Sequence, residues 1–401
     1  MTPPKDDNKP PLDTIVRRVE IPESASRPVA TPLFPSVVYS SPSADTLDAQ
    51  YEGAVDGYTY AREGHPNADI LAAKIDGMEG AEGGIVTSSG MAAISAMFLG
   101  LLKAGDHVLA GDQLYGRSLR MLSQDLPRMG FETGFFDAGS ADNLAAAIRP
   151  NTRMVMIEAV SNPTLRVADV AGIAAMAARH GLILVVDNTF TTPAVFRPFD
   201  HGADIIIHSV TKFLAGHSDV TLGYVAARDP AHRTAIYDAA VTWGMTPSPV
   251  DCWLAERGLN SCEVRFAAAQ DTARMIADGL AGQPGLTKVL YPGRNDHPDH
   301  DLAATLFGGS FGNMVSFEIA GGRDEVNRFI AAAGKIPFAP TLGDVATTLS
   351  HPASSSHRAL SAEARAALGM SEGFFRLSVG IEPAALLLGE LNAALAAVNG
   401  E

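Results

Sequence analysis

Three stretches of this chain, "TRMVMIEAV" (152–160), "LILVVD" (182–187) and "DIIIHS" (204–209), are apolar almost without interruption. A strand with one wet face alternates apolar and polar residues. A strand that does not alternate must be covered on both faces, as in a parallel sheet. Helical patterns lie between these stretches: "MAAISAMFLGLL" follows the short strand "GGIVTSSG" (83–90), and "DVAGIAAMAARHG" (169–181) ends at Gly181. "DHVLAGD" (106–112) reads as a further strand. Strands interleaved with helices predict an α/β architecture. In such sheets ligands bind outside the carboxyl ends of the strands, so the residues just past each strand carry the functional expectation.

A chain of 401 residues exceeds one ordinary domain. After about residue 260 the pattern changes. "SCEVRFAAAQDTARMIADGLAGQ" (261–283) is a long amphipathic helix, "MVSFEI" (314–319) a strand, "RDEVNRFIAAAG" (323–334) a helix and "FFRLSVGIE" (374–382) a strand. The expected organisation is an arm over 1–65, which needs a partner surface to lie on, an α/β domain over 66–260 and a smaller α+β domain over 261–401. The formal net charge of -15 argues against a nucleic-acid partner, because phosphate binding needs a basic face. The two cysteines, Cys252 and Cys262, lack the spacing of a zinc site and read as reduced thiols of a cytoplasmic protein, and no metal site is expected. No apolar run reaches the ~18 residues of a membrane span. The opening "MTPPKDDNKPPLD" lacks a signal-peptide core and reads as a frayed polar arm.

The strand ends hold a coherent chemistry. Asp187 closes "LILVVD", where a carboxylate is desolvated unless something cationic meets it, although a buried Asp at a strand end also serves as a cap. "HSVTKFLAGHSDV" (208–220) ends a buried strand with Ser209, Thr211 and Lys212. A lone lysine is ordinarily solvated, but a desolvated one loses proton affinity and becomes a nucleophile toward carbonyls. "TSSGMAAI" (87–94) sets a helix N-terminus after a strand, a site for an anion, and Gly90 lets the backbone approach closely. One ligand accounts for all three. Pyridoxal 5'-phosphate (PLP) offers an aldehyde to a lysine, a pyridine nitrogen to an aspartate and a phosphate to hydroxyls and a helix end. A dinucleotide site is the rival, but no G-x-G-x-x-G follows a strand.

These segments resemble the Cys/Met-metabolism (transsulfuration) family of PLP enzymes. "HSVTKFLAGHSDV" is similar to its lysine motif and "VVDNTF" (185–190) to its aspartate motif. "SSGMAAI" (88–94), "GDQLYG" (111–116), "SNPTLRVADV" (161–170), "LGDVATTLSHPASSSH" (342–357) and "RLSVGIE" (376–382) match other family segments in order. The resemblance implies the PLP-transferase fold type I, like aspartate aminotransferase, with a large, mostly parallel domain and a smaller C-terminal one. It implies Lys212 as the Schiff-base lysine and proton shuttle, Asp187 on the pyridine nitrogen, and Ser209, Thr211, Gly90 and Met91 around the phosphate. It further implies Tyr115 stacked on the ring with a part in catalysis, and Asn162 near the ring hydroxyl and the substrate carboxylate. Arg376 is implied as the carboxylate clamp, with Thr341 and Ser354 in the same pocket. "GYTYAREGHPNAD" (57–69) matches a segment that carries Tyr60 and Arg62 to a neighbouring subunit's phosphate, in a homotetramer of two active dimers. It departs from the family's Asn-Pro-Thr, reading His65-Pro66-Asn67, so the substrate entrance is expected to differ.

The implied chemistry begins when an amino-acid substrate displaces Lys212, whose amine then takes the α-proton. Loss of a β-proton and a γ-group follows. A thiol or sulfide adding next gives γ-replacement; water gives a 2-oxo acid and ammonia. Methionine γ-lyases of the family usually carry Cys where Arg117 stands, and cystathionine-processing members often carry Glu where Ala346 stands. The segments at 161–170 and 342–357 are more similar to those of enzymes that use an O-acylhomoserine, so γ-replacement is expected over γ-elimination.

Overall fold

The computed structural model describes residues 24–358 and 360–400. The chain divides into two compact units, Met1–Pro32 and Leu33–Glu401. Of the first, residues 24–30 are exposed and form no helix or strand, and the Ser26 amide donates to Ser24 Oγ (3.1 Å). The polar stretch that opens the sequence lies outside the described residues. Everything below concerns the second unit.

Seven strands make the main sheet: β1 (Ile85–Thr87), β2 (His107–Gly111), β3 (Glu132–Phe136), β4 (Thr152–Glu158), β5 (Ile183–Asp187), β6 (Ile205–Ser209) and β7 (Gly223–Ala227). Their spatial order is β1-β7-β6-β5-β4-β2-β3. Only β7 runs against the rest, pairing antiparallel with both β1 and β6. The unalternating strands are buried on both faces, as expected. Val155, Ile157, Leu184, Val186 and Ile206 pack into the core on one face. Met154, Met156, Val185, Ile205 and Ile207 pack into the core on the other, against the helix Gly90–Leu101. A second, four-stranded sheet is antiparallel and ordered β10-β11-β9-β8, with β8 (Leu286–Leu290), β9 (Met314–Ile319), β10 (Thr348–Ser350) and β11 (Phe374–Ser378). An aromatic cluster fills its core: Phe375 lies 5.5 Å from Phe317 and 4.9 Å from Phe329, ring centre to ring centre.

The helices that set the loops are capped by local chemistry. Asp169 accepts from the Gly172 amide and Gly181, at φ +61, ends the helix Val170–His180 in the left-handed region. Ser89 caps Gly90–Leu101 through the Ala92 amide at 3.0 Å. His65-Pro66-Asn67 also has a structural role. His65 Nδ1 accepts from the Ala68 amide (3.1 Å), Pro66 occupies the first turn, and Asn67 Oδ1 accepts from the Phe34 amide (2.9 Å). The triplet thus starts the helix Pro66–Glu79 and pins the preceding segment to it. Residues 33–65 contain one short helix, Ala44–Tyr51, and a single bridge, Val38 to Tyr60. Among the described residues no helix is long and apolar enough to cross a membrane, and no cluster of His, Cys, Asp and Glu could hold a metal ion.

Ile206 is fully buried in the central strand β6. Ile206→Ala leaves a cavity that the flanking strands cannot close. It is expected to lower unfolding stability by about 2–5 kcal/mol, read from chemical denaturation followed by far-UV circular dichroism.

Candidate active site

Five parallel strands deliver their carboxyl ends to one edge of the main sheet. Asp187 ends β5, Ser209 ends β6 and Glu158 ends β4. Tyr115, Asn162 and Lys212 follow β2, β4 and β6 within a few residues. The helix start at Gly90 packs on Ser209 so closely that a Cβ at Gly90 would lie 2.9 Å from Ser209 Cβ. Only glycine permits that approach.

Lys212 reaches out from a turn in which its amide donates to Ser209 O (3.1 Å). Its Nζ donates to Thr341 Oγ1 at 3.4 Å. Burial, and then the nearby positive charge of Arg376, depress its pKa to about 8. Gly343, at φ +80, lies against the same lysine: a Cβ there would sit 2.5 Å from Phe213 N and 2.8 Å from the Lys212 carbonyl carbon.

Arg376, on β11, is 5% exposed. It donates to Asn162 Oδ1 (2.7 Å) and to the Thr341 carbonyl (2.6 Å). Its Nε has no acceptor. No carboxylate pairs with it among the described residues, and burial lowers its pKa to about 10. A buried guanidinium with neutral partners and an unspent donor has the chemistry to bind an anion.

Asp187 is the opposite case. It is buried, accepts from the Thr189 amide at Oδ1 (3.0 Å), and has no cation within ion-pair distance among the described residues. Burial raises its pKa; Thr189 and the more distant His208 oppose the shift. Thr189 also ties the two strand ends together, accepting from the Ser209 amide at Oγ1 (2.8 Å). Behind the sheet His208 contacts the buried Glu79, which also accepts from Asn188 Nδ2 (2.8 Å).

Other expected residues fall in different places. The Ser209 hydroxyl has no hydrogen-bond partner among the described residues, but the Thr211 hydroxyl is engaged with both backbone groups of Leu222. Met91 lies at the helix start with its sulfur near Ser118 Oγ (4.0 Å). Tyr115 is 40% exposed, and its amide donates to Glu158 Oε1 (2.7 Å). Ser354 is not hydrogen-bonded to Arg376: its exposed hydroxyl accepts from Arg323 Nη1 (2.5 Å) and donates to His351 Nδ1 (2.8 Å). Tyr60 and Arg62 also stand apart, exposed and stacked on one another at 5.3 Å. Sequence reasoning passed over Thr189 and Glu158. Thr189 sits inside "VVDNTF", and Glu158 is the one carboxylate in the apolar run of β4.

The residues fit PLP by the chemistry of what they leave unspent. Lys212 offers an amine that is half unprotonated near pH 8. Asp187 offers a buried carboxylate without a cation. Ser209 and the amides at the start of Gly90–Leu101 offer donors for a phosphate. These features define a PLP-dependent enzyme of fold type I. The chain belongs to the Cys/Met metabolism PLP-dependent enzymes, whose family model matches residues 13–396. It is 38% identical over 367 residues to a cystathionine gamma-lyase of Bacillus subtilis, covering 92% of this chain and 94% of that protein. It is 36% identical over 366 residues to an O-succinylhomoserine sulfhydrylase of Pseudomonas aeruginosa, covering 91% and 90%. A crystal structure of cystathionine gamma synthase from Xanthomonas oryzae pv. oryzae in complex with cystathionine superposes with a TM-score of 0.88 at 37% identity, covering 94% of this chain and 95% of that one.

The lysine makes a pH test available. Below about 8 its amine is protonated and inert toward an aldehyde; above, it is a nucleophile. Capture of PLP by cofactor-free protein, followed by visible absorbance, is expected to accelerate through that pH. Arg376→Leu removes a repelling charge, so the inflection should move upward. An inflection that stays in place would show that Arg376 does not act on the amine.

Proposed function

We propose that this enzyme catalyses γ-replacement on an O-acylhomoserine, with sulfide or cysteine as the incoming nucleophile, giving homocysteine or cystathionine. PLP, when bound, supplies the electron sink that stabilises negative charge at the substrate's α-carbon. Lys212, Asp187, Ser209, Thr211, Gly90, Met91, Tyr115 and Asn162 would hold it. Arg376 grips the substrate α-carboxylate through its two-pronged face, and the Asn162 side chain and Thr341 carbonyl keep that face oriented. The Lys212 amine, neutral in half its copies near pH 8, takes the α-proton and returns it. Thr341 spans both tasks, with its hydroxyl on Lys212 and its carbonyl on Arg376. Ser354 enters the substrate pocket only if the turn at Pro352–Ser354 releases Arg323 and His351.

The observation that carries replacement over methionine elimination is the absence of a pocket thiol. Arg117 follows Tyr115-Gly116, and both cysteines of the chain, Cys252 and Cys262, lie buried in the main core with thiol pKa values pushed up by burial. Likeness to the Pseudomonas sulfhydrylase supports the same reading. A second reading, cystathionine γ-elimination, is favoured by likeness to the Bacillus lyase.

The working unit in this reading is a cytoplasmic homotetramer of two active dimers. In this reading 1–65, of which 33–65 belong to the unit described here, would serve as the arm, 66–260 as the cofactor domain and 261–401 as the domain that carries Arg376. Tyr60 and Arg62 act at a neighbouring subunit's phosphate. Support comes from the surface of the arm, where Val38 (66% exposed), Tyr51 (63%) and Tyr60 (40%) face solvent in one chain.

The assay offers O-succinylhomoserine, O-acetylhomoserine, cystathionine and methionine, each with and without sulfide or cysteine. An O-acylhomoserine is expected to turn over with a thiol to a thioether or homocysteine. Release of a 2-oxo acid that no thiol suppresses would establish the lyase instead. Lys212→Ala is expected to retain the fold and lose turnover in the same assay.

A further inference from the structure

Glu158 has no part in the chemistry described so far, yet it is placed at its centre. β4 and β5 pair in register, so Glu158 stands directly opposite Asp187 on the same face of the sheet. Neighbouring strands are about 4.8 Å apart. Two carboxyl side chains therefore project from neighbouring positions at the strand ends, without a hydrogen bond between them. No cation pairs with either among the described residues. Glu158 Oε1 accepts from the Tyr115 amide at 2.7 Å, and the Asn162 backbone lies near enough to favour the charged form of this carboxyl slightly. Its other oxygen, Oε2, is sealed from solvent and has no partner.

Asp187 is buried, and Glu158, although partly exposed, turns its sealed oxygen inward, so keeping a charge on both neighbouring carboxyls is disfavoured. Asp187 is the better placed to keep it, since Thr189 donates to it and His208 lies near. Burial and the proximity of Asp187 both drive the Glu158 pKa well up, in the same sense. The titratable and charged groups around Glu158 are Asp187 on β5 and Tyr115 after β2, with Arg376 of β11 reaching the neighbouring Asn162.

We propose that Glu158 is a positioning residue that works in its protonated form, fixing the backbone of Tyr115 beside Asp187 without adding a second negative charge there. One short side chain thus ties the loop after β2 to the end of β4. Asp187 stays the only anion facing a ring nitrogen. The inference rests on this pocket being the PLP site.

The test compares wild type, Glu158→Gln and Glu158→Ala, each loaded with PLP. Three readouts are taken: PLP dissociation constant, visible circular dichroism and the pH profile of the visible band. Gln is neutral and keeps an acceptor for the Tyr115 amide. Glu158→Gln is expected to preserve the pH profile and hold PLP affinity within about threefold of wild type. Glu158→Ala is expected to weaken PLP binding by about tenfold or more and to alter the visible dichroism, because the Tyr115 loop is untethered. A shift of about one pH unit or more in Glu158→Gln would mean that Glu158 acts as an anion, and would overturn the proposal. So would a Glu158→Ala protein indistinguishable from wild type. Should Ala prevent folding, the Gln variant alone decides the charge. A wild type that forms no visible band with PLP would remove the cofactor assignment itself, a different failure from either variant result.

Discussion

Burial of opposite charges that do not meet each other is the constraint on which this protein is organised. Arg376 and Asp187 are each buried without a counter-ion among the described residues. Such isolation costs several kcal/mol per ion unless a ligand supplies the missing partner. The fold bears that cost at the same edge of the sheet, beside a lysine whose own charge is disfavoured. In the proposed reading a ligand with a cationic ring nitrogen and a substrate with a carboxylate would relieve both, so that affinity and catalysis would draw on one reservoir, the desolvation of groups held apart on separate strands.

Rigidity comes from how the two sheets meet. The main sheet presents Asp187, Ser209 and Lys212, while β11 of the smaller sheet presents Arg376. They meet directly where Arg376 donates to Asn162 and Ser316 to the Pro163 carbonyl, and again through a short segment around Thr341 and Gly343. Thr341 touches both Lys212 and Arg376, and Gly343 lets the backbone press against the lysine turn. Arg265 steadies the far side of that turn, donating to the Phe213 carbonyl at 3.2 Å and to the Leu214 carbonyl at 3.3 Å. The lysine is thus confined from several directions while its amine stays available.

Much of this was legible in the residues. Unbroken apolar strands require cover on both faces, so the parallel sheet followed from β4, β5 and β6 alone. Asp187 and Lys212 were conspicuous because polar groups at the ends of such strands need a reason. β3 and β7 were harder. "ETGFF" is a half-exposed edge strand with a glycine at its centre, and "GYVAA" is five residues long and runs against its neighbours. Neither has a local signal that separates it from a loop. Ser354 lies in a family-like segment, and only the structure shows that its side chain turns to Arg323 and His351. His65 looked like a departure and is a helix cap.

The sequence by itself determined the class of fold, the family and the reactive groups, because hydrophobic pattern and residue chemistry are local properties. Only the tertiary structure decided which charges remain unpaired. It placed Arg376 on Asn162, 214 positions away, and set Glu158 beside Asp187. Desolvation and repulsion depend on what surrounds a side chain in space, and that surrounding is assembled from strands distant along the chain.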